Sequence, residues 1–180
     1  MKRTAQSGFS IVELMIAIAV LGIVIALGLP AYGTWIQNTQ IRTGAEAVMN
    51  GLQTARNEAI RRNTSVQFKL VNAADSAWAV NLSATPDLDP PLSGRSSQEG
   101  SQNVVVTRFP GDADTVTFSA LGRIVTNADG SPTLTGIDLD NPSINVVADR
   151  RNLQIVIPTG GAVRMCDPKV LAGDPRACGP

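Results

Sequence analysis

The chain has 180 residues, 43% of them hydrophobic but only 4% aromatic, and its 15 Lys and Arg balance 15 Asp and Glu for a formal net charge of zero. It contains no histidine and only two cysteines, which removes His-based triads and His metal sites, and the global charge points to no class of partner. An N-terminal apolar segment set aside, about 150 residues remain, enough for one domain that buries its own core.

Residues 9–29 are apolar except for one charge, Glu13, and end at Pro30. As a helix these 21 residues would be about 32 Å long, enough to cross a hydrocarbon core of about 30 Å. The segment is therefore a membrane span or a buried fibre helix. A secretory signal peptide fits poorly, because the run exceeds an ordinary apolar core of about 7–15 residues and no Ala-x-Ala cleavage site follows it. A carboxylate in such a helix costs roughly 2.5–3.5 kcal/mol near a bilayer centre and less near an end. If the chain were cut between Gly8 and Phe9, a neighbouring subunit's new α-amino group could neutralise Glu13, which predicts an assembly.

The octet Gly8-Phe9-Ser10-Ile11-Val12-Glu13-Leu14-Met15 resembles the class III signal of type IV pilins and type II secretion pseudopilins. The resemblance implies cleavage after Gly8 by a prepilin peptidase, N-methylation of Phe9, an assembly role for Glu13 as the fifth mature residue, and a helix bend at Pro30. Removing Lys2 and Arg3 with the leader leaves 13 bases against 15 acids, a side-chain net of −2. Those two bases ahead of the span place the leader in the cytoplasm and the remaining domain across the inner membrane. In that oxidising compartment Cys166 and Cys178 are expected to form a structural disulfide.

After Pro30 the apolar period becomes helical: Ile41, Ala45, Val48, Leu52, Ala55 and Ala59, with Met49 and Ile60 widening the stripe and no proline from residue 31 to 62. The span and this amphipathic segment, residues 31–63, are expected to make one long helix. From residue 64 onward short β-rich runs follow at 66–70, 78–82, 104–109, 115–119, 123–126, 144–148, 153–157 and 162–165. Turn-forming clusters at 127–130, 149–152 and 158–161 read as hairpin connections. Residues 83–103, with three prolines, five serines and two glycines, read as a long mobile loop. The acid pairs Asp112/Asp114 and Asp138/Asp140 read as solvated turn acids rather than a calcium site. No cofactor is expected.

Residues 45–63, then Phe118-Ser119-Ala120-Leu121-Gly122-Arg123, then Gly161-Ala162-Val163-Arg164-Met165-Cys166, are similar to the GspH/FimT family of minor pilins and pseudopilins. That resemblance implies an α+β, pilin-like fold: a long N-terminal helix packed on a C-terminal domain of two antiparallel β-sheets. The organisation expected is leader 1–8, transmembrane and assembly helix 9–30, amphipathic helix 31–63 and periplasmic β-rich domain 64–180. It also implies other pilins or pseudopilins as partners and a place at the start or tip of a fibre. Some FimT-like members bind DNA through Gly-Arg-x-Arg. Here Gly161-Ala162-Val163-Arg164 keeps only the second arginine, leaving Arg150, Arg151, Arg164, Lys169 and Arg176 as a possible phosphate-binding patch with no aromatic residue after Phe118 for base stacking.

Overall fold

The computed structural model describes residues 9–72, 74–87 and 90–178, and of Pro30 the backbone only. The leader and Gly8 lie outside the described residues. Helix α1 runs over Ile11–Arg62, and the chain divides into two compact units between Ile36 and Gln37. The helix ends by a defined device. Asn63 takes a left-handed φ of 50°, its N–H donates to the Ile60 carbonyl, and the Thr64 N–H reaches back to the Ala59 carbonyl at 3.2 Å, which satisfies carbonyls the last turn leaves open. Arg61 and Arg62 sit in that turn and both bond Glu58 at 2.6 Å, holding its carboxyl below the usual range.

Among the described residues nine strands follow: β1 (Val66–Leu70), β2 (Trp78–Leu82), β3 (Ser93–Arg95), β4 (Val105–Phe109), β5 (Thr115–Phe118), β6 (Ile124–Val125), β7 (Gly136–Asp140), β8 (Leu153–Val156) and β9 (Arg164–Cys166). They form two antiparallel sheets, ordered β3-β2-β1-β5-β6 and β4-β7-β8-β9. All six residues of the expected stripe, Ile41, Ala45, Val48, Leu52, Ala55 and Ala59, are fully buried in one core with Phe68, Val80, Val116 and Phe118 of the first sheet and Ile137, Leu139 and Ile155 of the second. Alternation places these residues on the inner face of each strand. Ile60 departs from the expectation and stays about half exposed, although the adjacent Ala59 is fully buried.

Five expectations need correction. Residues 144–148 are not a strand. The Asn141–Ile144 turn, Pro142 and a 3₁₀ turn at Val147–Asp149 form the long connection between β7 and β8, so 149–152 is no hairpin turn either. Residues 127–130 link β6 of one sheet to β7 of the other, a crossing between sheets. The 83–103 stretch contains β3, paired to β2, and buries Ser97 and Ser101, whose hydroxyls bond the Ser97 carbonyl, Asp75 and Ser76. These two serines are interior hydrogen-bonding groups. Finally, Asp138 and Asp140 lie on strand β7, where Ile137 and Leu139 face the core and the acids face outward. Asp and Gly are poor strand formers, so the period-two signal was masked by its own polar half.

The helix reaches the first sheet closely at one point. A Cβ on Gly51 would lie 2.7 Å from Trp78 ring atoms and 2.8 Å from Phe68. Gly51→Ala is therefore expected to destabilise the fold by about 1–3 kcal/mol through overpacking, measured by denaturant unfolding.

Candidate assembly helix and basic surface

The N-terminal unit presents its apolar residues outward. Every large apolar side chain from residue 9 to 29 is exposed, Phe9 to 81%, and the described helix is long and apolar enough to cross a membrane. Glu13 falls in the first turn, three residues after Ser10, where the helix dipole favours an acid. Beyond the apolar run, Tyr32 and Trp35 stack at 5.9 Å with both rings largely exposed.

Where α1 enters the β-domain, Gln37 and Asn38 make the following hydrogen bonds. Asn141 donates to the Gln37 Oε1 at 2.7 Å and Asn103 donates to the same oxygen at 3.3 Å. Asn38 donates Nδ2 to the Asp149 carbonyl at 2.9 Å and accepts from the Arg151 N–H at 2.8 Å. The sequence reading missed this clasp, since amides on a polar helix face carry no local signal of a distant partner.

The five C-terminal cations are dispersed in role. Arg150 is a partly buried staple, donating to Asp140 at 3.0 Å and to the Ile144 carbonyl at 2.8 Å. Lys169 donates to the Val147 and Arg150 carbonyls at 3.0 and 2.6 Å. Arg176 pairs with Asp174 and lowers that carboxyl to about 2. Arg164 is exposed and donates to the Cys178 carbonyl at 3.3 Å. Arg151 is exposed and its guanidinium makes no hydrogen bond or ion pair among the described residues. Cys166 and Cys178 are joined, Cα atoms 5.0 Å apart, closing the tail onto β9.

The three sequence blocks that carry the second resemblance converge. Arg56 of the helix donates Nε to the Gly122 carbonyl at 3.0 Å, and Gly122 backs onto Gly161. Both glycines take positive φ, 70° and 78°, and a Cβ on Gly161 would lie 2.2 Å from the Gly122 oxygen. Gln53, Arg56 and Asn57 line a groove of about 310 Å³ with residues 161–163. Gly161→Ala is expected to cost about 2–4 kcal/mol in a denaturation series, since it adds both a left-handed penalty and a clash with backbone.

On the outer face of the second sheet, partial burial pushes the Asp138 carboxyl up from its ordinary 3.8, opposed by a hydrogen bond from Gln154. A raised folded value means that the stabilising contribution is complete at low pH and lost as the group ionises on going up through that value. Asp138→Asn is expected to raise the thermal midpoint at pH 7, with the gain shrinking below about pH 4. An unchanged midpoint at both pH values would remove the desolvation argument.

Comparison with known proteins places these features. A family model described as Type II transport protein GspH matches residues 44–169, and another, described as Prokaryotic N-terminal methylation motif, matches residues 3–29. A Fimbrial protein of Pseudomonas aeruginosa is 30% identical over 109 residues, spanning 57% of this chain and 68% of that one. A Fimbrial protein of Moraxella nonliquefaciens is 45% identical over 51 residues, 28% of this chain and 32% of its own length. The crystal structure of the Pseudomonas aeruginosa type IV minor pilin FimU shares the fold, with a TM-score of 0.54 at 16% identity over 73% of this chain and 91% of FimU. With more than half of its length matched, and a methylation motif ahead of an apolar helix, the chain belongs to the GspH family of pilin-like proteins.

Proposed function

We propose that this chain is a minor pilin that starts or caps a type IV pilus. The observation that carries the reading is an exposed apolar helix bearing one acid, Glu13, on a domain whose own core is already complete. Such a subunit can be stored in the inner membrane, with its domain on the periplasmic side, and then be withdrawn into a fibre. A prepilin peptidase cuts after Gly8 and Phe9 becomes the methylated terminus. Glu13 then meets a neighbouring subunit's α-amino group, Pro30 bends the helix, and heterologous packing of such helices gives an open filament with other pilins.

The description of the matched family model favours a second reading, a minor pseudopilin of a type II secretion machine. The relatives' names and the FimU fold support the pilus reading. Binding of DNA draws less support from the geometry, because Arg150, Lys169, Arg176 and Arg164 are all engaged within the fold, although Arg164, like Arg151, is exposed.

A strain deleted for the chain and complemented with either the parent sequence or Glu13→Ala separates these readings. The pilus reading expects loss of surface pili on deletion, recovery with the parent, which should begin at methylated Phe9, and membrane insertion without pili for Glu13→Ala. Normal pili with lost protein secretion would move the chain to the secretion system. Normal pili with lost transformation would make it a DNA receptor.

A further inference from the structure

Residues 145–149 carry two adjacent exposed valines, Val146 at 56% and Val147 at 63%, and the tail carries Leu171 at 86%. Lys169 ties the two segments together through its bonds to the Val147 and Arg150 carbonyls. Both therefore belong to the end of the domain that Asn38 clasps through the Asp149 carbonyl and the Arg151 N–H. Asp140, Asp174, Arg150, Lys169 and Arg176 of this region are used by the bonds and ion pairs described above, and the exposed Asp149 and Arg151 carry opposite charges, so the region has no strong net charge beside its exposed apolar side chains.

The position of this end is bounded by the chain. The exposed, stacked Tyr32 and Trp35 follow the apolar run directly, and aromatic rings of this kind favour the headgroup layer of a bilayer. Asn38 comes three residues after Trp35, so at most about 10 Å of chain separates the clasp from that layer, whatever path it takes.

We propose that Val146, Val147 and Leu171 form a membrane-resting face: while the subunit is stored, this end of the domain lies in the headgroup layer of the bilayer. The contact costs the free domain little because the side chains are already out of its core, and apolar groups gain by leaving water. Extraction into a fibre would then have to lift the domain off the lipid as well as draw out the span. The inference rests on the membrane-anchor reading above.

The test uses the full chain in liposomes of phosphatidylethanolamine and phosphatidylglycerol containing a diazirine phospholipid, photoactive either in its acyl chain or at its headgroup. After illumination, labelled peptides are read by mass spectrometry. The acyl probe should label residues 9–29, and the headgroup probe should label residues 145–149 and 169–173. A triple variant, Val146→Ser, Val147→Ser and Leu171→Ser, should lose the headgroup label at both segments and keep the label in the span. Label in the span alone overturns the resting face and leaves the anchor standing. Absence of label in the span overturns both. Headgroup label that persists in the triple variant overturns the role of these three side chains, and crosslinking of Lys169 to a second copy without lipid label assigns the face to a subunit contact instead.

Discussion

One helix carries two apolar surfaces that the chain treats in opposite ways. Over residues 41–59 the stripe is narrow and built largely from small residues. Ala45, Ala55 and Ala59 let the two sheets approach, while Ile41, Val48 and Leu52 fill the space between them. Full burial of each larger side chain contributes about 1.5–3 kcal/mol, so this face alone accounts for a substantial part of the domain's cohesion. Over residues 9–29 apolar residues cover every side of the helix and none is covered by the protein. A helix of that kind requires lipid or neighbouring helices around it.

The polar chemistry of the C-terminal third serves mostly to hold irregular chain in place. Residues 167–178 contain few apolar side chains and could not be fixed by a core. They are held by the disulfide to β9, by Lys169 reaching two carbonyls of the β7–β8 connection, and by the Asp174–Arg176 pair. Closing a loop of this length stabilises by about 3 kcal/mol in the chain-entropy account. Exposed ion pairs add little on their own, and the carbonyl-directed bonds define geometry more than they strengthen it. A cluster of bases in sequence is thus distributed over several structural tasks.

The meeting of Arg56, Gly122 and Gly161 shows how distant segments come to depend on one another. Two turns with left-handed glycines press together so closely that a side chain on Gly161 would run into the Gly122 carbonyl, and the helix arginine donates to that same carbonyl. The Gln37–Asn38 clasp does the same at the other end of the buried helix face with neutral amides. Burying a carbonyl without a donor costs on the order of 1–3 kcal/mol, which makes these side chains structural parts of the turns they serve.

The amino-acid sequence by itself determined the long helix, its change from an apolar cylinder to an amphipathic stripe, the residues of that stripe, and most strands whose inner and outer residues differ clearly in polarity. Those features rest on local periodicity, which each residue and its near neighbours express. It also marked Glu13, because a lone acid in an apolar helix stands out without any knowledge of the fold. Tertiary structure decided the rest. Strand β3 exists because β2 offers a sheet edge, strand β7 because its two inward residues outweigh its two acids, and Val146 and Val147 stay outside because β7 and β8 have already paired across them. The roles of Arg56, Arg150 and Lys169 were equally closed to the sequence, since a side-chain hydrogen bond to a backbone carbonyl depends on where the backbone passes and leaves no trace in composition or spacing.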